Sequence, residues 1–213
     1  PYVGNMQDPT PAELWTTWRN AASGDGIDRA IRELYADLDQ AVRNAPTDGP
    51  HGPPTCNASG RCCKFDTYGH RLYVTGLEIA WFLARVQGAG SGVSDEPPSV
   101  DGQSSSLALP VIEPGRSVRT NTDETQDPSP ETRAALPDAC RYQVDGLCTT
   151  HAVRPLGCRV YFCTPGTDDW QHAVYERFQK RLQQLHTEYA LPYRYMEWRA
   201  GLVEAEAWLG NDS

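Results

Sequence analysis

The sequence predicts a mainly α-helical chain whose helices surround an irregular, cysteine-rich centre carrying a small β-hairpin. Three observations support this. Apolar residues recur at helical spacing near both ends. All seven cysteines fall between residues 56 and 163. Asp145-Gly146 sits between β-capable flanks, a two-residue hairpin signal.

The helical reading starts at Thr10-Pro11-x-Glu13, where Thr10 can cap, Pro11 suits the first helical position and Glu13 completes a capping box. A second helix follows, with Ile27, Ile31, Leu34, Leu38 and Val42 on one face. Residues 46–56 then break structure with four prolines and two glycines. Residues 71–74, RLYV, read as a short strand that leads into TGLEIAWFLARVQG, where Thr75 and Glu78 again have capping-box spacing. Residues 88–130 are rich in Gly, Ser, Pro and acids, and read as a flexible insertion within a single domain spanning 1–213. In CRYQVDGLC the hairpin signal is expected to place Cys140 and Cys148 on neighbouring strands. Beyond it, Val174, Phe178, Leu182, Leu185 and Tyr189 form one stripe, and YMEWRAGLVEAEAWLG reads as a last helix. Trp15, Trp18, Trp81, Trp198 and Trp208 all lie in helical stretches, so core packing is their expected role.

Composition narrows the function. With 39% hydrophobic and 22% charged residues the chain can bury a core. A formal charge of -9 opposes attraction to nucleic acid or an anionic membrane, because phosphate binding needs a basic surface. No apolar run is long enough to predict a membrane span, and no secretory signal is read at the N-terminus, so a cytoplasmic location is expected.

The cysteines are Cys56, Cys62, Cys63, Cys140, Cys148, Cys158 and Cys163. An odd number cannot form a complete disulfide framework, and a chain of 213 residues does not need one. Thiolates on irregular loops favour iron–sulfur clusters, zinc or Cu(I). Zinc sites usually use paired Cys-x2–4-Cys knuckles, and only Cys158 and Cys163 approach that spacing. An iron–sulfur cluster is larger and accepts sulfurs from more scattered points, so the spacing leans towards iron, with [4Fe–4S] expected and zinc the alternative. A metal-free thiol–disulfide protein is the third reading. Arg154 and Arg159 are expected near the centre, where guanidinium groups would offset the charge of an all-thiolate site. A redox protein is the expected partner of an iron–sulfur reading.

Cys56-x2-Ser59-x2-Cys62-Cys63, with Cys140, Gly146-Leu147-Cys148 and Arg154-Pro155-x2-Cys158-Arg159, resembles the YkgJ-type cysteine-cluster family. That family is named for a CxxCxxCC motif, is described as zinc- or iron-chelating, and includes a domain of flagellin lysine methylase. The resemblance covers residues 56–85 and 138–165. It implies a metal-binding role for Cys56, Cys62, Cys63, Cys140, Cys148 and Cys158, while Cys163 is added from proximity alone. One position departs: the second cysteine of the motif is Ser59, read as a turn residue with an oxygen ligand as the alternative.

Overall fold

A computed structural model describes residues 9–46, 52–56, 59–88 and 128–211. Most of the segment expected to be a flexible insertion, residues 89–127, lies outside the described residues. The elements in chain order are α1 (Pro11–Ala22), α2 (Asp25–Arg43), α3 (Phe65–Tyr68), β1 (Tyr73–Thr75), α4 (Gly76–Gly88), α5 (Pro130–Ala135), β2 (Gln143–Val144), β3 (Leu147–Cys148), α6 (Leu156–Val160), α7 (Asp168–Glu188), β4 (Tyr195–Glu197) and α8 (Trp198–Asn211). The described chain is mainly helical, as the periodicity predicts. None of these helices is long and apolar enough to cross a membrane.

Local sequence explains most of the helices. Thr10 and Glu13 form the reciprocal capping box at the start of α1. The face of α2 that carries Ile27, Ile31, Leu34 and Leu38 is buried, together with Tyr35. In α7 Val174, Phe178, Leu182 and Leu185 are buried, whereas Tyr189, the last of the predicted stripe, lies past the helix end and is exposed. Trp15, Trp18, Trp81 and Trp198 are all core residues. Close helix packing depends on missing side chains. A Cβ on Gly76 would stand 2.3 Å from the Trp18 ring, and one on Gly201 would stand 2.4 Å from Ile79 Cδ1.

The expected RLYV strand, 71–74, forms instead over Tyr73–Thr75, and its partner is not visible in the sequence. β1 pairs antiparallel with β4, with Tyr73 opposite Glu197, Val74 opposite Met196 and Thr75 opposite Tyr195. Each strand runs straight into a helix. The ladder is closed at its ends by Trp198 N–H donating to Leu72 O at 2.8 Å and Gly76 N–H to Arg194 O at 3.1 Å. This corrects the reading of YMEWRAGLVEAEAWLG as helix throughout. Tyr195, Met196 and Glu197 are strand, because β1 from the other half of the chain supplies their backbone partners. The Glu197 carboxylate then accepts Ala200 N–H at 2.9 Å and so satisfies a donor in the first turn of α8.

Two buried titratable groups tie these parts together. Glu78, 1% exposed, accepts hydrogen bonds from Thr75 N–H, Thr75 Oγ1, Tyr35 OH and Leu156 N–H. Burial pushes its carboxyl up, and the donors from Thr75, Leu156 and Tyr35 pull it back. His186, 2% exposed, donates from Nδ1 to Pro192 O at 3.0 Å, a carbonyl that also accepts Trp18 Nε1–H at 2.9 Å. Burial holds the imidazole down to about 4.

Replacing Glu78 with Gln keeps the volume but turns an amide N–H₂ towards buried donors. It is expected to cost about 3 kcal/mol, or about 10 °C in Tm for a chain of this size, measured by calorimetry. A second expectation concerns pH. His186 is neutral in the fold down to about 4, whereas an unfolded histidine protonates near 6.5. The unfolded chain therefore binds the extra proton first, and stability falls as pH drops from about 6.5 to about 4. The loss should be about 3 kcal/mol. Urea melts across this window should show that loss in the parent protein and a flatter profile in His186→Gln.

Candidate metal centre

The two cysteine groups meet through a short backbone clamp. Lys64 and Ala139 form an isolated antiparallel bridge. Beside it Cys140 N–H donates to Cys63 O at 2.7 Å and Phe65 N–H to Asp138 O at 3.1 Å. The Asp138 carboxylate then accepts Asp66 and Thr67 N–H, which caps the single turn of α3. Arg199, reaching from α8, pairs with Asp66 at 2.9 Å and donates to Pro137 O, so the clamp is anchored to the core.

The first cysteine loop is shaped by Gly60, which has φ +69°. A Cβ there would lie 2.6 Å from both Gln143 Nε2 and Gly146 O, so only glycine lets the hairpin sit on this loop. Gln143 Nε2 completes the contact by donating to Gly60 O at 2.7 Å. The hairpin itself forms where Asp145-Gly146 predicts it, with positive φ at both turn residues. One expectation fails. Cys140 is not on a hairpin strand, because β2 and β3 are only two residues each and Cys148 faces Gln143. Gln143 N–H turns back to Cys140 O at 2.9 Å, which takes Cys140 out of the ladder. At the far end of the site, Thr55 N–H donates to the Thr164 hydroxyl at 3.1 Å and brings the Cys56 loop beside Cys163.

These contacts enclose a cavity of about 290 Å³ whose wall includes Cys56, Cys62, Cys63, Cys148, Cys158 and Cys163. Cys140, the seventh, lies outside that wall with its sulfur accepting Trp198 Nε1–H at 3.5 Å. All seven are free thiols. Cys62 and Cys63 sulfurs are 3.8 Å apart, and Ser59 Oγ lies 3.6 Å from Cys163 Sγ. Thus the serine that departs from the CxxCxxCC pattern sits beside the extra downstream thiol. Its hydroxyl also accepts Arg61 N–H at 3.4 Å, the turn contact expected of it. Among the described residues no Asp or Glu lines the cavity, and Arg154 does. Tyr161 and Phe162 are both in its wall.

The thiols differ in how readily they ionise. Cys62 is lowered to about 7, chiefly by the hydrogen bond from Cys63, with help from the charge of Arg154. Cys140 is lowered to about 6, again chiefly by Cys63, with Trp198 N–H contributing. Cys63, in hydrogen-bond contact with Cys140 and Cys62, is pushed up by them and by burial. Burial pushes Cys158 up as well, reinforced by the neighbouring sulfurs Cys140 and Cys62. A cation in the cavity would bring down every thiol that binds it, because thiolate is the ligating form.

Arg159 and Arg154 part company. Arg154 is on the cavity wall, and its buried Nε has no hydrogen-bond partner among the described residues. Arg159 is buried towards α2, where it pairs with Asp39 at 2.8 Å, donates to Arg154 O and Ala152 O, and lies over the Tyr35 ring. His151 lines the cavity. His70 donates from Nε2 to Cys62 O at 3.2 Å and stacks on Tyr161. The contacts of His70, Gln143 and Trp198 with the cysteine loops are not foreseeable from sequence, because no local pattern announces them. Among the described residues, no group of three or more His, Cys, Asp or Glu is gathered tightly enough to hold a metal ion; the thiols surround a space instead. No family model matches the chain, and neither the curated proteins nor the solved structures contain a match.

Proposed function

We propose that this protein is a metalloprotein whose cysteine cavity holds an iron–sulfur cluster, [4Fe–4S] being the type that suits it best. The observation that carries the reading is the cavity wall. Six thiols from two distant segments line one space of about 290 Å³, with an arginine and, among the described residues, no carboxylate beside them. An all-sulfur donor set is soft, which favours iron–sulfur, zinc or Cu(I) over harder ions. A space bounded by sulfurs suits a cluster, whose irons are each bound from a different side, better than a single tetrahedral ion.

Cys56, Cys62, Cys63, Cys148, Cys158 and Cys163 are the residues that would hold the group, more than the four a [4Fe–4S] cluster needs. Cys163 stands where it can make good the thiol that Ser59 lacks. Such a cluster supplies one-electron chemistry, and an iron without a cysteine can also bind a small molecule. Arg154 would offset the negative charge of the thiolates and favour the reduced state. Cys140 supports the wall from behind through Cys63 and Trp198. Electron transfer, redox sensing and cluster-assisted chemistry are the roles open to this centre, the first two with a redox protein as partner. A reducing, cytoplasmic setting goes with seven free thiols. The resemblance of the cysteine pattern to a zinc- or iron-chelating family points the same way.

Protein purified without oxygen should be brown, with about four irons and four sulfides per chain. A colourless protein with stoichiometric zinc would replace this reading by a structural zinc site, and a metal-free one with reversible disulfides by a thiol redox protein. Cys62→Ser, Cys148→Ser and Cys158→Ser should each lose most of the metal on analysis. Full retention in any of the three removes that residue from the ligand set.

A further inference from the structure

Cys62, Cys158 and Tyr161 have a second side. Besides lining the cysteine cavity they form one wall of a separate, more open cleft, also of about 290 Å³. That volume is close to the lower end of ligand pockets, about 300 Å³, so the cleft suits a small molecule.

Its chemistry contrasts with the rest of the protein. On a chain of net charge -9, this cleft is lined among the described residues by Arg71, His70 and His172, the last 3.7 Å from Glu176, and by no Asp or Glu. Arg71 is only loosely neutralised. Its Nη1 is 3.8 Å from Asp66, a carboxylate that Arg199 already holds at 2.9 Å. Part of the lining is aromatic, from Tyr73, Tyr175 and Tyr195. Tyr73 and Tyr195 stack with ring centres 5.6 Å apart and planes 28° from parallel, Tyr195 also stacks with Tyr193 at 6.5 Å, and the Tyr195 hydroxyl meets that of Tyr175. Burial pushes both the Tyr175 and Tyr195 phenols up, so they stay neutral. A guanidinium selects a carboxylate by its forked geometry, and aromatic faces select a planar body.

We propose that this cleft binds a small planar organic acid, its carboxylate at Arg71 and its ring against the tyrosines, with its far end at Cys62 and Cys158. The part of this that concerns the metal rests on the function proposed above; binding in the cleft does not. The ligand would then lie against the same two cysteines that wall the metal cavity, the position from which a bound molecule can exchange electrons with that centre or report its state.

The test is a calorimetric titration of the metal-loaded protein with benzoate and 4-hydroxybenzoate, and with benzylamine as a cation of similar shape. At least one acid should bind with Kd below about 1 mM while benzylamine does not, and Arg71→Gln should weaken the acid about tenfold or more. The contrast between acid and amine uses the unaltered protein, so it holds whether or not the variant folds. No binding by either acid, tighter binding of benzylamine, or equal affinity in a folded Arg71→Gln protein overturns the proposal, whatever metal is present. Arginine-dependent binding that leaves the visible spectrum of a brown protein unchanged keeps the cleft but overturns its placement against the metal centre. The same binding to a colourless zinc protein keeps the cleft and overturns the iron–sulfur reading alone.

Discussion

Glu78 accepts hydrogen bonds from three separate parts of the chain inside a core that has expelled water. Thr75 at the start of α4, Tyr35 on α2 and the first residue of α6, Leu156, all donate to it. A buried carboxylate left without donors would be too costly to keep, so these three elements hold their positions together or lose the carboxylate's stabilisation together. The consequence reaches the candidate site directly. α6 carries Cys158, and its N-terminus is held by Glu78 at the point where Pro155 leaves the loop. Arg159 adds a second tie from the same helix to α2 through Asp39. The helical core thus sets the position of one side of the cysteine cavity.

The other side is set by backbone. The Lys64–Ala139 bridge and the Cys140-to-Cys63 hydrogen bond join the two cysteine groups, and Gly60 lets the hairpin close over the first loop. Because these contacts use backbone atoms, the sulfurs are left free to line the cavity. Cys63 is in hydrogen-bond contact with two neighbouring sulfurs, which leaves Cys62 and Cys140 the easier thiols to ionise. Although the protein is acidic, no carboxylate among the described residues lines either the cavity or the cleft behind it. Thiolates and an organic acid would each be repelled by one.

The reasons for what was and was not legible are local against non-local. Capping boxes at Thr10 and Thr75, the apolar face of α2 and the Asp145-Gly146 turn depend on residues within a turn of one another, and each forms as read. β4 was read as helix because its partner is β1, far away in sequence, and because Tyr, Met and Glu do not oppose helix strongly. Cys140 was placed on a strand because a hairpin signal fixes the turn but says nothing of how long the ladder runs. Arg159 and Arg154 are equivalent in sequence, and only the position of Asp39 separates them.

By itself, the sequence determined a mainly helical chain and marked its cysteines as a group, because helix periodicity, capping and residue chemistry are properties of neighbouring residues. Only the tertiary structure decided that six of those cysteines face one cavity and the seventh backs it, that Ser59 meets Cys163, and that a basic, aromatic cleft lies behind Cys62 and Cys158. Those facts depend on which distant surfaces pack together. Packing is chosen by the whole core and by buried groups such as Glu78, whose partners are scattered along the chain.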